Sequence, residues 1–179
     1  MKDIMRAKTV LSLETEELLN NQVALEAQAS AKYLAMASWC DTNGYATSAD
    51  FYYEQSDEER AHMLKIFRYI NDMGGNAISP AIAEVTSNFV SLRDIFETAL
   101  ESEIIVSKAI NMIVDRAKSE KDYNTDQFMQ WFVQEQREEE MIARRAVELC
   151  DMLGDDKLAL FMIDERIGGL RKSISPDEA

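Results

Sequence analysis

The heptapeptide DEERAHM at residues 57–63 decides the fold of this 179-residue chain. It places Glu59 and His62 three residues apart within a run of helical periodicity from about Tyr45 to Met73. Residues three apart lie on one face of a helix, so both side chains can reach the same point. A Glu-x-x-His pair of this kind occurs on the inward faces of helical bundles that hold two metal ions. The heptapeptide therefore predicts a helix that turns a metal-binding face into a bundle.

Three further segments of the chain share this helical periodicity. The four predicted helices run from about Leu13 to Asn43, Tyr45 to Met73, Ser91 to Glu120 and Thr125 to Leu153. Each is about 45 Å long at the rise of an α-helix, and four long helices of equal length are typical of a bundle. The chain has only 6 Gly and 2 Pro, too few for the turns of a β or α/β fold. We therefore predict an all-α four-helix bundle over residues 13–153.

The connections between the predicted helices are unequal in length. The first and second helices, and the third and fourth, are joined by short turns and should be antiparallel neighbours. The segment from Gly74 to Val90 is long enough to run the whole length of the bundle, which would make the second and third helices parallel. A loose surface excursion is the alternative.

Beyond the four helices, a short fifth helix is predicted from about Asp155 to Gly168. Its predicted apolar side consists of Leu158, Phe161, Met162 and Ile167. The tail from Ser173 to Ala179 is predicted to be disordered. The chain is thus interpreted as one domain, residues 1–179.

The composition excludes several classes of partner. A formal net charge of -14 repels nucleic acid and anionic membrane surfaces and suits metal cations, although acidity can also serve solubility alone. No apolar run is long enough to span a membrane, and the N-terminus does not read as a signal peptide. Cys40 and Cys150 form neither a metal-type pair nor a disulfide framework, so we expect a cytoplasmic protein.

A heptad seam drawn along each predicted helix is apolar at its ends and polar in the middle. The interrupting residues are Glu26, Glu59, His62, Glu103, Gln136 and Glu139. An unpaired buried carboxylate costs several kcal/mol, so four carboxylates at one level require compensating cations. Two divalent ions would bring the four positive charges. The seam therefore predicts a centre for two metal ions inside the bundle.

The ligand types favour iron in this predicted centre. Carboxylate oxygens with a single imidazole are hard ligands, suited to Fe, Mn or Mg. Anionic oxygen ligands stabilise Fe(III) over Fe(II) and so promote electron transfer to O₂, with Mn as the nearest alternative. A lone histidine such as His62 is often a core residue, and one glutamate could be solvated if the seam were drawn one position off. Agreement across four helices favours the metal centre.

Several stretches, taken together and in order, resemble the bacterial non-haem ferritins over nearly the whole chain. They are Asn21-Gln22 with Glu26, Tyr33-Leu34, MASWC at 36–40, DEERAHM at 57–63, Glu103, and WFVQEQREEE at 131–140. The resemblance implies a ferritin-like bundle with a long crossover between the second and third helices. It also implies an iron-storage function in which Fe(II) is oxidised by O₂ or H₂O₂.

The same resemblance implies a role for each site residue. Glu26 and His62 would bind the first iron ion, and Glu59 would bridge both ions. Glu103 would bind the second ion, with Glu139 and Gln136 beside it. A third iron site is implied at Glu58, Glu135, Glu138 and Glu139, with a solvated acidic face as the alternative for the first three. Tyr33 and Trp131 match aromatic residues near the centre; Tyr33 is a candidate electron donor, with core packing as the alternative for both.

A homo-oligomeric cage of 24 subunits is a further implication, with the short fifth helix at fourfold contacts. Bacterioferritins would show a second Glu-x-x-His motif and a haem-binding Met where this chain has Arg60, so no haem is expected. Two alternatives remain at this stage. One is a di-metal oxidase or oxygenase acting on a small organic substrate, and the other is a structural bundle without metal.

Overall fold

Five α-helices account for most of residues 9–170, the part of the chain that the computed structural model describes, and no strand occurs in that range. The helices are α1 (Leu13–Thr42), α2 (Ala46–Asp72), α3 (Leu92–Glu120), α4 (Tyr123–Leu153) and α5 (Lys157–Ile167). The predicted all-α bundle with a short fifth helix is therefore confirmed. The tail predicted to be disordered lies outside the described residues.

Side-chain caps fix the ends of the helices close to the predicted positions. Ser12 accepts a hydrogen bond from the backbone N–H of Thr15 at 3.0 Å and begins α1. The start of α4 was predicted two residues too late, because Asp122 caps it by accepting from Thr125 N–H at 3.1 Å. An Asp at this position satisfies one of the free N–H groups of the first turn. Lys121, before it, adopts a left-handed conformation with φ 61° that ends α3.

The segment between α2 and α3 runs along α1. Near the start of α1, Asn20 accepts from Ile78 N–H at 2.8 Å, and further along Gln28 accepts from Ala83 N–H at 2.8 Å. Close to the end of α1, Phe89 meets Trp39 edge to face at 6.5 Å. The segment thus spans roughly 28 Å of helix. It returns the chain to the end of the bundle where α2 began, so α2 and α3 run parallel as predicted.

The fifth helix packs on α2 and α4 through a face that differs from the predicted one. Its buried side is formed by Ala159, Ile163 and Ile167, while Leu158 and Phe161 are 68% and 62% exposed. Of the four residues of the predicted apolar side, only Ile167 is buried, and Leu158, Phe161 and Met162 are exposed.

The core of the bundle consists of two apolar clusters separated by a polar layer. One cluster contains Tyr33, Tyr52 and Phe96, and the other contains Leu19, Ile66 and Phe132 among its members. Along every long helix the chain passes from one cluster to the other through one or two turns of Glu, Gln or His. None of the helices in residues 9–170 has the length and hydropathy needed to cross a membrane.

Candidate metal centre

The polar layer gathers the residues that interrupt the predicted seams, and it removes them from solvent. The carboxylates are between 1% and 3% exposed, and His62 and Gln136 are each 6% exposed. The residues are Glu26 on α1, Glu59 and His62 on α2, Glu103 on α3, and Gln136 and Glu139 on α4. All six predicted positions therefore face the interior at one level of the bundle.

Glu26, Glu59 and His62 form a cluster that can hold a cation. One ligand atom from each of the three lies within 4.8 Å of the others. The Nδ1 atom of His62 lies 3.4 Å from Oε2 of Glu59. This Oε2 atom and Oε2 of Glu26 are buried and find no hydrogen-bond donor among residues 9–170. Because a buried acceptor without a donor is costly, these two oxygens fit a shared cation between α1 and α2.

Glu103 and Glu139 complete the layer from the opposite pair of helices. Glu103 accepts hydrogen bonds from the Tyr33 hydroxyl and from the Gln136 side-chain amide, which also donates to the Glu103 carbonyl at 3.1 Å. Glu139 accepts from Nε2 of Gln55 at 3.1 Å. Tyr33 thus lies in direct contact with the carboxylate layer, as the sequence predicted.

Burial sets the protonation of this layer. Desolvation raises the pKa of Glu26 well above its ordinary value, and the neighbouring Glu59 carboxylate raises it further. Desolvation also raises the pKa of Glu59, with Glu103 as the next cause. The pKa of Glu103 rises for the same first reason. Burial therefore favours the protonated form of these carboxyl groups, and a cation that binds must displace any proton held there.

A second group of metal-binding atoms lies next to the first. Glu58, His62 and Glu135 each offer an atom within 4.8 Å of the others, and both glutamates are partly exposed. The resemblance to the bacterial non-haem ferritins groups Glu58 and Glu135 with Glu138 and Glu139. In the structure, Glu58 and Glu135 lie beside His62, which also belongs to the cluster with Glu26 and Glu59. A cation could therefore pass between the two groups without leaving protein ligands.

Two glutamines beside the layer, Gln22 and Gln55, were not predicted as site residues. Gln22, one turn before Glu26, donates to Glu26 Oε1 at 2.9 Å, and Gln55 holds Glu139. Both are buried. Gln55 occupies a seam position and could have been found by the same pattern, whereas Gln22 lies beside the seam. These amides orient carboxylates without adding negative charge.

Trp131 covers the outer side of His62. Their rings meet edge to face at 5.4 Å, and the indole is 39% exposed. The ammonium group of Lys65 lies over the indole ring, 2.9 Å from its centroid. The predicted position of Trp131 near the centre is thus observed. This cation–π contact fixes the indole where it separates His62 from solvent.

Comparison with known proteins identifies the family of this chain. Residues 16–153 match the ferritin-like domain model of the ferritin family. A probable bacterial non-haem ferritin-like protein of Haemophilus influenzae is 38% identical over 90% of this chain and 98% of its own length. A bacterial non-haem ferritin of Campylobacter jejuni is 34% identical over 92% of this chain and 98% of its own.

Solved structures give the same result. An open-pore ferritin from the archaeon Archaeoglobus fulgidus is 35% identical to this chain. It superposes with a TM-score of 0.85 over 88% of this chain and 96% of its own. The family model covers most of the helices, the relatives are more than 30% identical to this chain, and the solved structure has the same fold. The chain therefore belongs to the ferritin family, and it resembles the bacterial non-haem ferritins within it.

Proposed function

We propose that this protein stores iron, and that it is a ferroxidase which oxidises Fe(II) with O₂ or H₂O₂ in the polar layer of each subunit. The observation that carries this proposal is the set of four buried carboxylates and one imidazole, in which Oε2 of Glu26 and Oε2 of Glu59 lack donors. Fe(II) is the substrate, and on binding it supplies the electrons for reduction of the oxidant.

Each site residue has a distinct role in this proposal. Glu26 and His62 bind one iron ion, and Glu59 lies between the two ions. Glu103 and Glu139 bind the second ion, with Gln136 beside them. The carboxylate-rich donor set suits iron, because hard anionic oxygens favour the ferric state. No haem is required by this scheme.

The surrounding residues hold the carboxylates in position and exclude water. The amide of Gln22 donates to Oε1 of Glu26, whose Oε2 finds no donor among residues 9–170, and the amide of Gln55 donates to Glu139. Such partners orient ligands and raise their affinity for metal. The two apolar clusters close the layer from both ends of the bundle. Tyr33 holds Glu103 in place through the hydrogen bond that its hydroxyl donates to that carboxylate.

The group of Glu58, His62 and Glu135 is proposed as a third iron position. It shares His62 with the centre and is partly exposed, so it can receive or release ions at the edge of the bundle. Glu138, one turn from Glu135 on α4, is assigned to the same acidic face. The net charge of -14 attracts cations to that face.

A homo-oligomeric cage, of 24 subunits by the resemblance, is proposed as the container of the ferric mineral. Leu158 and Phe161 expose large apolar side chains on one side of α5. Neighbouring exposed apolar residues of this size are typical of subunit contacts. The relatives of known structure are ferritins. A cytoplasmic location is part of the proposal, since Cys40 and Cys150 are free thiols.

A di-metal oxidase acting on an organic substrate is less well supported. The cavity that borders the layer at Tyr33, Glu103 and Glu139 has room for about one water molecule. An organic substrate would not fit there unless the core repacked.

Rapid mixing of the metal-free protein with Fe(II) and O₂ tests the proposed function. We expect a fast oxidation phase that saturates at two Fe(II) per chain and is lost in Glu59→Gln. Glu54→Gln is the matched control, because Glu54 is an exposed acid on the same helix. A fast phase that is equal in both variants would show that the layer is not the oxidation site.

A further inference from the structure

Two stacked tyrosines lie beside Glu103 inside the bundle. The hydroxyl of Tyr33 donates to the Glu103 carboxylate, and the rings of Tyr33 and Tyr52 are 5.7 Å apart with an interplanar angle of 28°. Both side chains are 2% exposed. Offset rings at this separation are in van der Waals contact. Tyr52 is therefore connected to the carboxylate layer through a single aromatic ring.

The neighbours of Tyr52 are poor electron donors. Phe51 and Phe96 pack against its ring at 5.2 and 6.4 Å, and phenylalanine is much harder to oxidise than tyrosine. Cys40 lies in the same cluster, and burial raises the pKa of its thiol to about 12. A neutral thiol is much less readily oxidised than a thiolate. When one electron is removed from this pair of tyrosines, the resulting radical therefore stays on Tyr33 or Tyr52.

Two iron ions do not supply enough electrons to reduce O₂ to water. Two Fe(II) ions supply two electrons, which suffice to convert O₂ and two protons into H₂O₂. Conversion of O₂ into two water molecules takes four electrons and four protons. Two further one-electron donors would close this difference, and Tyr33, in contact with the layer, and Tyr52, stacked on Tyr33, are two such donors.

Building on the proposed ferroxidase function, we propose that Tyr52 is a second redox-active tyrosine that refills Tyr33 and lets the centre reduce O₂ to water. Tyr33 first gives an electron to the oxygen-derived oxidant and its phenolic proton to Glu103. Tyr52 then passes an electron across the stacked rings, and Tyr33 takes its proton back. The phenolic proton of Tyr52 goes to Glu103 or Glu139, which line the cavity that both tyrosines border.

Restored Tyr33 then gives a second electron and proton to the oxidant. Two Fe(II) and two tyrosines have now supplied four electrons. Glu103 or Glu139 passes the proton of Tyr52 to the reduced oxygen, and this proton, the proton of Tyr33 and two protons from solvent complete the two water molecules. The next two Fe(II) ions reduce both phenoxyl radicals, which take up two protons. The balance is four Fe(II), one O₂ and four protons to four Fe(III) and two water molecules.

The peroxide yield tests this role of Tyr52. Metal-free protein is given two Fe(II) per chain and then O₂, and H₂O₂ is trapped. We expect almost no H₂O₂ from the unmodified chain. Tyr52→Phe, which keeps the ring and removes the hydroxyl, should release up to one H₂O₂ per two Fe(II). Tyr69→Phe is the control, because Tyr69 stacks on Phe128 at 3.8 Å and has no ring contact with Tyr33 in the described structure.

The electron paramagnetic resonance spectrum gives a second readout that packing alone would not move. Freeze-quenched samples of the unmodified protein should show two tyrosyl radicals coupled across the stack. Tyr52→Phe should lack this coupled pair and show an uncoupled Tyr33 radical only in chains that have not released H₂O₂, and Tyr33→Phe should show no radical. In the metal-free protein, a photochemical one-electron oxidant should give a buried tyrosyl shared by Tyr33 and Tyr52, whose spectrum changes in Tyr52→Phe and is unchanged in Tyr69→Phe.

These measurements separate the two proposals. Absence of fast Fe(II) oxidation in the unmodified protein would overturn the proposed function. Fast oxidation that releases one H₂O₂ per two Fe(II) from the unmodified protein would overturn the role of Tyr52 while leaving the ferroxidase in place. Identical peroxide yields and radical spectra in the unmodified chain and Tyr52→Phe would likewise make Tyr52 a packing residue.

Discussion

The carboxylate of Asp164 accepts a hydrogen bond from the backbone N–H of Ser48 at 2.8 Å. Asp164 lies on α5 and Ser48 lies in the first turn of α2, whose own N-cap residue, Tyr45, provides no side-chain cap. A residue more than a hundred positions along the chain therefore caps the helix that carries Glu59 and His62. The fifth helix thus contributes to the fold of each subunit.

We expect Asp164→Ala to destabilise the subunit by about 1–2 kcal/mol, the usual cost of losing a helix N-cap. The backbone N–H groups of Thr47 and Ser48 would lose their acceptor. The midpoint of denaturant unfolding measures the effect in the metal-free protein. Glu165→Ala is the control, since Glu165 is exposed on the same helix. Equal midpoints for the two variants would show that the cap contributes nothing.

The metal-free protein should become less stable as the pH rises through the raised pKa of Glu26. Unfolded Glu26 titrates at its ordinary pKa and the folded residue at a higher one, because burial disfavours the carboxylate. Between these two values the folded state holds the extra proton, so stability falls with increasing pH. Below the ordinary pKa, Glu26 is protonated in both states, so it causes no further change of stability with pH.

Glu26→Gln removes this charge while keeping the size of the side chain. We expect its melting temperature without metal to fall less between mild acid and neutral pH than that of the unmodified protein. Fe(II) added anaerobically should raise the melting temperature of the unmodified protein above that of Glu26→Gln, since only the unmodified protein has the full set of metal ligands. Parallel melting curves over the whole pH range would contradict the assignment of Glu26 to a buried carboxylate layer.

Glu135→Ala should leave the first fast turnover in place and alter the later ones. Glu135 belongs to the second group of metal-binding atoms, with Glu58 and His62. If that group passes ions to and from the centre, the rate of repeated turnovers should fall by about tenfold, the lower range for loss of a supporting ligand. Glu138→Ala should act in the same direction.

Multi-turnover oxidation followed by absorbance checks this expectation. Glu148→Ala is a suitable control, because Glu148 lies on the same helix about three turns away and is paired only with Arg145 among the contacts described. Unchanged later turnovers in both Glu135→Ala and Glu138→Ala would rule out the third position.

Phe161→Glu should break up the proposed assembly. Phe161 is 62% exposed on α5 of the isolated subunit, so a charge there costs the subunit fold little. The same charge buried in a contact between subunits would cost several kcal/mol. Light scattering after size-exclusion chromatography should show a smaller species for Phe161→Glu and a large assembly for the control Lys157→Glu. Large assemblies from both variants would place the contact elsewhere.

Much of the fold was predictable because long helices with capping residues leave a clear periodic signal. The polar layer was predictable for the same reason, since Glu59 and Glu103 replace apolar residues at strict seam positions. The length of the segment between α2 and α3 allowed a crossover and left a loose surface excursion open. Its course along α1 depends on Asn20 and Gln28, which the pattern does not distinguish from surface residues.

Other features depend on contacts between distant parts of the chain. The cap that Asp164 provides for α2, and the outward position of Phe161, follow from how α5 meets the end of the bundle. The hydrogen bond from Gln22 to Glu26 was open to prediction from their spacing of four residues. The stack of Tyr33 on Tyr52 joins two helices and has no signature in either sequence segment.

The most direct test of iron storage is the amount of iron that each chain retains after aerobic loading with Fe(II) and size-exclusion chromatography. The proposed function predicts iron far above two ions per chain, co-eluting with a very large assembly, and loss of rapid loading in Glu59→Gln. Retention of about two ions per chain would contradict storage and favour a di-iron oxidase. Retention of none would contradict the metal centre itself.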